Sequence, residues 1–261
     1  MQADFFAKKR RNSLGFLLIL GAITFGAIVI TEYNVVKGFE SLPRAVTWAL
    51  GNFYPTQESL SRLPGILKSL METLLVSIAA TTIGAIFALF FAVMGSNTTR
   101  VNAFFGSISR AIATVFRNID VAAWAMILLF SFGQSSLTGY FALFFGSFGF
   151  LTRAFMETID EASSGSVEAL RATGASYFSI ISQSVIPSSV PQMISWILFM
   201  IETNIRSATL IGLLTGSGIG FTFNLYYKSL NYDIASLVVV TIIIAILFIE
   251  TISNYVRRVI L

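Results

Sequence analysis

Apolar residues run in long blocks, and polar residues form short interruptions between them. The first block covers Leu14 to Ile30, and others cover 70–94, 101–132, 137–156, 185–214 and 234–256. About 20 apolar helical residues cross roughly 30 Å of hydrocarbon, so each block predicts a crossing. The 101–132 block is too long for one untilted helix and predicts a break near Arg117-Asn118-Ile119-Asp120. The expected fold class is an all-α membrane protein with about six transmembrane helices. Residues 1–68 would form a tail, the first span and an outer loop with a short interfacial helix near 42–53; residues 69–261 would form the core.

Charge orients these spans. Lys8, Lys9, Arg10 and Arg11 precede the first block, Arg100 lies in the turn after the second, and Arg257 and Arg258 follow the last. By the positive-inside rule both termini are expected in the cytoplasm. Thr31-Glu32-Tyr33-Asn34 offers no small-residue cleavage site, so the first block reads as a retained span.

Composition agrees. Of 261 residues 55% are hydrophobic and 11% charged, with mean hydropathy +0.79; soluble domains carry about 25% charged residues. Cysteine and histidine are both absent. That excludes disulfides, thiol nucleophiles and Cys/His metal sites, and removes the commonest acid–base side chain. No catalytic or metal site is expected. The net charge of +4 sits at chain ends and loops, so no nucleic-acid partner is expected.

The longest stretch of the second half without a membrane-grade apolar run is 157–184, on the cytoplasmic side by this count. Ser166 suits an N-cap, Glu168 the first turn and Gly174 a helix stop, which predicts a two-turn helix over 167–173. A second helix over 177–185 would present Phe178, Ile181 and Val185 on one face, and Pro187 would start the fifth span. Such a unit is too small to fold alone and needs the membrane domain or a partner as its template.

Glu168-Ala169, Gly174 and Ile186-Pro187 stand at the spacing of an E-A-A…G…L-P loop, and the chain here resembles binding-protein-dependent ABC importer permeases. Leu170, Ser184 and Ile186 depart from the usual alanine, isoleucine and leucine. The resemblance implies a type I ABC importer permease fold in a bacterial cytoplasmic membrane. It implies a cytoplasmic coupling loop over 158–186, with Glu168, Ala169, Arg171, Gly174 and Pro187 as the ATPase-coupling residues. The implied partners are an ABC ATPase dimer carrying ATP and Mg, an extracytoplasmic solute-binding protein, and a second permease copy or paralogue within the lipid bilayer. No cofactor is expected on this chain.

Residues 117–120, 167–176, 202–209 and 210–220 further resemble phosphonate-import permeases, a likeness that covers roughly 70–258. This implies phosphonate or a related phosphorus oxyanion as cargo; phosphite, methionine or another amino acid are the alternatives within the class. Asp120 stands where those permeases usually have proline.

Charges inside apolar spans cost about 2.5–3.5 kcal/mol on insertion scales and usually face a cavity or a partner. Arg117, Asn118, Asp120, Glu202, Asn204, Arg206 and Thr209 are therefore candidates for a substrate pathway. Glu202 and Arg206 are four apart and would equally suit a structural ion pair. Arg153 and Glu157 repeat that spacing as an interfacial pair. Gly212, Gly216, Gly218 and Gly220 predict turns and close backbone packing at an outer gate. The Gly216–Gly220 run lacks the Lys and Ser/Thr of a phosphate-binding loop, so the chain is not expected to be its own ATPase. An ion-coupled secondary transporter would show repeated halves, which are not found, and an intramembrane enzyme would need a reactive cluster, which is also not found.

Overall fold

The structure, a computed structural model, describes the backbone of residues 2–260 and the side chains of 9–163 and 165–260. The chain divides into two compact units, Met1–Tyr54 and Pro55–Leu261. The first holds α1 (Gln2–Ile30) and α2 (Val35–Asn52). The Lys9–Ile30 part of α1 is apolar enough to cross a membrane, with no part of its crossing window buried. Helix α2 starts earlier than the predicted 42–53, because Asn34 caps it by accepting from the Lys37 N–H at 2.9 Å.

The second unit opens with a 3₁₀ turn (Ser59–Arg62). It continues through α3 (Leu63–Gly95), α4 (Ala103–Asn118), α5 (Val121–Phe132), α6 (Ser136–Ala172), α7 (Tyr177–Ile180) and a π-helical segment (Ile181–Val185). Helices α8 (Ile186–Thr215), α9 (Gly218–Lys228) and α10 (Tyr232–Ile260) complete it. Among the described residues, four helical stretches are long and apolar enough to cross a membrane: Lys9–Ile30, Ser59–Gly95, Tyr177–Thr215 and Tyr232–Ile260. The pair α4–α5, bent by 90°, passes the same test only when its two helices are taken together, the form of a broken span or a re-entrant loop. The predicted crossing over 137–156 lies inside α6, the central helix of this unit, which packs on α3, α4, α5 and α8. Gly139, Gly146, Ser147, Gly149 and Thr152 are buried there, where neighbouring helices approach instead of lipid. Small residues suit such a position, and they dilute the helix's hydropathy.

Close approach explains these small residues. A methyl on Gly84 of α3 would sit 3.2 Å from the Ser147 Cβ, and one on Gly149 would sit 2.6 Å from the Phe116 backbone carbon. Buried Ser77, Thr81, Ser147 and Thr152 return their hydroxyl protons to carbonyls one turn back, at 2.6–2.8 Å, which satisfies them inside the bundle. The predicted break at 117–120 is the bend itself. Phe116 stacks on Trp124 across it (centroids 5.2 Å apart, planes at 18°), and both rings meet Phe145 of α6. Pairs of this kind contribute about 0.5–1.5 kcal/mol each beyond burial.

Three local expectations are corrected. The helix over 167–173 is not separate: α6 runs unbroken from Ser136 to Ala172. Ser166 does not cap it; its hydroxyl donates back to the Ser163 carbonyl at 3.1 Å and meets Ser184 Oγ at 2.7 Å. The helix continues because Phe155, Ile159 and Val167 keep one buried face across the Ser-Gly-Ser stretch. The second helix becomes one turn of α7 followed by the π segment, whose wider turn shifts the buried set to Ile180, Ser184 and Val185 and leaves Phe178 83% exposed.

Candidate functional site

At the α6 tip, Glu168 and Ala169 are exposed while Val167 is buried against Ile180 and Val185. Leu170, the departure from the third alanine, packs on this same core. Gly174 has φ +77°, the left-handed conformation in which glycine ends a helix without strain. The Ala175 N–H then reaches back to the Leu170 carbonyl at 3.1 Å. Ser184, where isoleucine is usual, meets the Ser166 hydroxyl, so this departure is matched within the chain. Pro187 sits in the first turn of α8, as predicted. The result is a knob packed on the core beneath it, with Glu168 on its outer surface.

The pathway candidates do not form one group. Arg117 and Asn118 line a polar cleft of about 230 Å³ with Thr114, Arg153 and Glu157. Arg153 Nε donates to Glu157 Oε1 at 2.7 Å, the predicted pair. Asp120 lies outside that cleft's lining and caps α5, accepting from the Ala122 N–H at 2.8 Å. Its φ of −61° and ψ of 147° are values a proline also adopts, so the exchange keeps the break and adds a cap.

Asn204 is fully buried rather than facing a cavity. Its Nδ2 donates to Thr81 Oγ1 of α3 at 2.8 Å and Ser147 Oγ of α6 at 2.6 Å, which ties three helices. Its Oδ1 is buried with no partner. Glu202 and Arg206 pair on α8 as their spacing predicts, and Arg257 of α10 adds a second guanidinium 3.5 Å from Glu202. Arg257 Nε and Nη2 are buried without hydrogen bonds. Thr209 donates weakly to the Ile205 carbonyl at 3.3 Å.

The four glycines do gather. Gly216 ends α8 at φ +68° and Gly218 opens α9 at φ +64°. Gly212 and Gly220 let the two helices touch, since a methyl on either would lie 3.2 Å from the other's Cα. Thr73 of α3 accepts from the Ile219 N–H at 2.8 Å and pins the junction.

Asp160, missed in the sequence, is the most heavily hydrogen-bonded side chain near the knob. It accepts from Ser96 Oγ (2.5 Å), Asn97 N–H and Nδ2 (both 3.2 Å), and Thr98 N–H and Oγ1 (both 2.9 Å). Burial opposes its charge, but these bonds outweigh it and hold its pKa below the ordinary carboxylate value. Nothing local in the sequence marks Asp160, because its partners lie more than 60 residues away.

A bundle of apolar helices around a small-residue central helix, with a stiff knob at one end and turning glycines on α8 and α9, defines a multi-pass membrane permease. The chain belongs to the family described as the binding-protein-dependent transport system inner membrane component, which matches residues 84–260. It is 26% identical over 256 residues to the phosphite transport system permease protein PtxC of Stutzerimonas stutzeri, covering 95% of this chain and 92% of that one. It is 29% identical over 191 residues to the phosphate-import permease protein PhnE of Mycolicibacterium smegmatis, covering 73% of this chain and 36% of that one. Its fold is similar to that of the MetNI methionine ABC transporter in an inward-facing conformation. That match has a TM-score of 0.67 at 18% identity and covers 79% of this chain and 99% of that one.

Proposed function

We propose that the chain is the permease subunit of an ATP-driven importer for phosphite, phosphonate or a related phosphorus oxyanion. The observation that carries this reading is the knob. Glu168 and Ala169 stand exposed on a helix end whose inner face is locked into the core, the form needed to receive a push and pass it inward. An ATPase dimer, holding ATP and Mg, would grip 158–186; this chain would hold no cofactor. A solute-binding protein would deliver cargo at the glycine end. Two permease copies, or this chain and a paralogue, would enclose the path between them. The knob and both termini would then face the cytoplasm.

The cargo class is supported by the names of the relatives and by the cleft. Arg117 and Asn118 offer donors to an oxyanion there, and Glu157 keeps Arg153 partly occupied. A path must not hold its cargo too tightly. Under this reading Asp120, Asn204 and Thr209 support the helices that frame the path, and Glu202 and Arg206 set its charge.

The test is uptake by the reconstituted complex, with phosphite, phosphate, methylphosphonate and methionine supplied in turn. ATP-dependent uptake of a phosphorus oxyanion is expected; uptake of methionine alone would overturn the cargo assignment. Glu168→Lys is expected to lower co-purification of the ATPase with the folded permease at least tenfold. Normal docking in that variant would overturn the role of the knob.

A further inference from the structure

The turn between α3 and α4, residues 96–102, is gripped from three directions. Asp160 on α6 takes the five hydrogen bonds described above. Arg171, on the last turn of α6, donates through Nη2 to the Thr98 carbonyl at 2.7 Å. Arg110 on α4 donates through Nε to the Gly95 carbonyl at 2.8 Å and through Nη2 to Asn97 Oδ1 at 2.6 Å. Thr99 closes the loop on itself by donating to the Val93 carbonyl at 2.7 Å.

Charge-assisted bonds of this kind are roughly twice as strong as neutral ones. Here they come from both signs and from separate points on the chain, eleven positions apart on α6 and one on α4. A turn that only had to reverse the chain would need none of them. The α8 side of the knob is built differently: it leaves through the π segment, where the backbone ladder is wider and one hydroxyl pair, Ser166–Ser184, crosses back to α6. Single π turns often mark functional sites within helices.

We infer that Asp160, Arg171 and Arg110 are positioning residues that fuse the knob to the α3–α4 turn, so that a push on the knob moves α3, α4 and α6 as one body. This rests on the importer reading above. The ATPase would act on the membrane domain through this turn as well as through the helices that flank the knob.

Two experiments separate this inference from that reading. In the first, the complex carries Asp160→Asn or Arg110→Met, and phosphite uptake is measured per ATP hydrolysed. Wild-type ATPase docking with a fall in that ratio of threefold or more is expected, and Arg110→Lys should recover most of it by restoring one donor to the Gly95 carbonyl. An unchanged ratio in Asp160→Asn would overturn the inference. The second needs no cargo. The chain has no cysteine, so Arg100→Cys with Ala172→Cys gives one reactive pair spanning the junction. Equal cross-linking yield with a flexible bismaleimide, without nucleotide and with ATP and vanadate, is expected. A yield that changes threefold between the two states would show the knob sliding past the turn and overturn the inference. Failure of the wild-type complex to take up phosphite would instead count against the cargo.

Discussion

Replacing Asn204 by alanine should hardly change stability, although the residue is fully buried and ties three helices. Interhelical hydrogen bonds in membranes average about 0.6 kcal/mol, so two cost about 1.2 kcal/mol when lost. The void left by a carboxamide, about 40 Å³, adds about 1 kcal/mol at ~24 cal/mol per Å³. Against this, Asn204 Oδ1 is already an unpaired buried acceptor, and removing it recovers about 1–3 kcal/mol. Thr81 and Ser147 still donate to the Ser77 and Leu143 carbonyls, so no donor is orphaned. The balance lies within about 1 kcal/mol of zero either way. Asn204→Asp keeps the shape but places a charge where the nearby hydroxyl protons are committed, at a cost of several kcal/mol. Thermal unfolding of the purified protein in detergent checks both. The alanine variant should melt within about 4 °C of wild type, and the aspartate variant far below it. An alanine variant that loses 8 °C or more, or an aspartate variant that loses nothing, would refute the reasoning.

Other outcomes follow from the same geometry. Gly220→Ala puts a methyl against the Thr209 carbonyl group, 2.9 Å from its carbon; the helices must part, at about 1–3 kcal/mol, read as a lower melting temperature. Gly65→Ala has open space around it and should stabilise by about 0.5–1 kcal/mol in the same assay. Arg117→Gln should lower oxyanion uptake at least fivefold while melting as wild type, checked by transport and unfolding side by side. The Asp160 junction should be insensitive to pH across the neutral range. A depressed carboxyl pKa gives stability that is present above the unfolded value and lost as pH falls through the folded one, so the part of the melting temperature that Asp160→Asn removes should change only below the ordinary 3.8.

Much of this was legible along the chain. The break at 117–120, the stop at Gly174 and the turn at Gly216 and Gly218 depend on local backbone preference, which a sequence carries directly. The Glu202–Arg206 and Arg153–Glu157 pairs follow from helical spacing alone. What stayed hidden depends on distant partners. Asn204 reads as a polar residue in a span, and only Thr81 and Ser147 from two other helices show it to be a buried tie. Arg257 looks like a topology signal until it meets Glu202 from α8. Ser166 reads as a helix cap, and burial of Val167 overrides that local preference.

The unbroken length of α6 sets a mechanical scale. Its 37 residues at 1.5 Å each make a rod about 55 Å long, nearly twice the roughly 30 Å hydrocarbon layer. Under the importer reading such a rod would work as a crowbar with the surrounding helices as its fulcrum. A tilt of a few degrees displaces both ends by ångströms in opposite directions, so a small shove at Glu168 would reappear, reversed, beside Ser136.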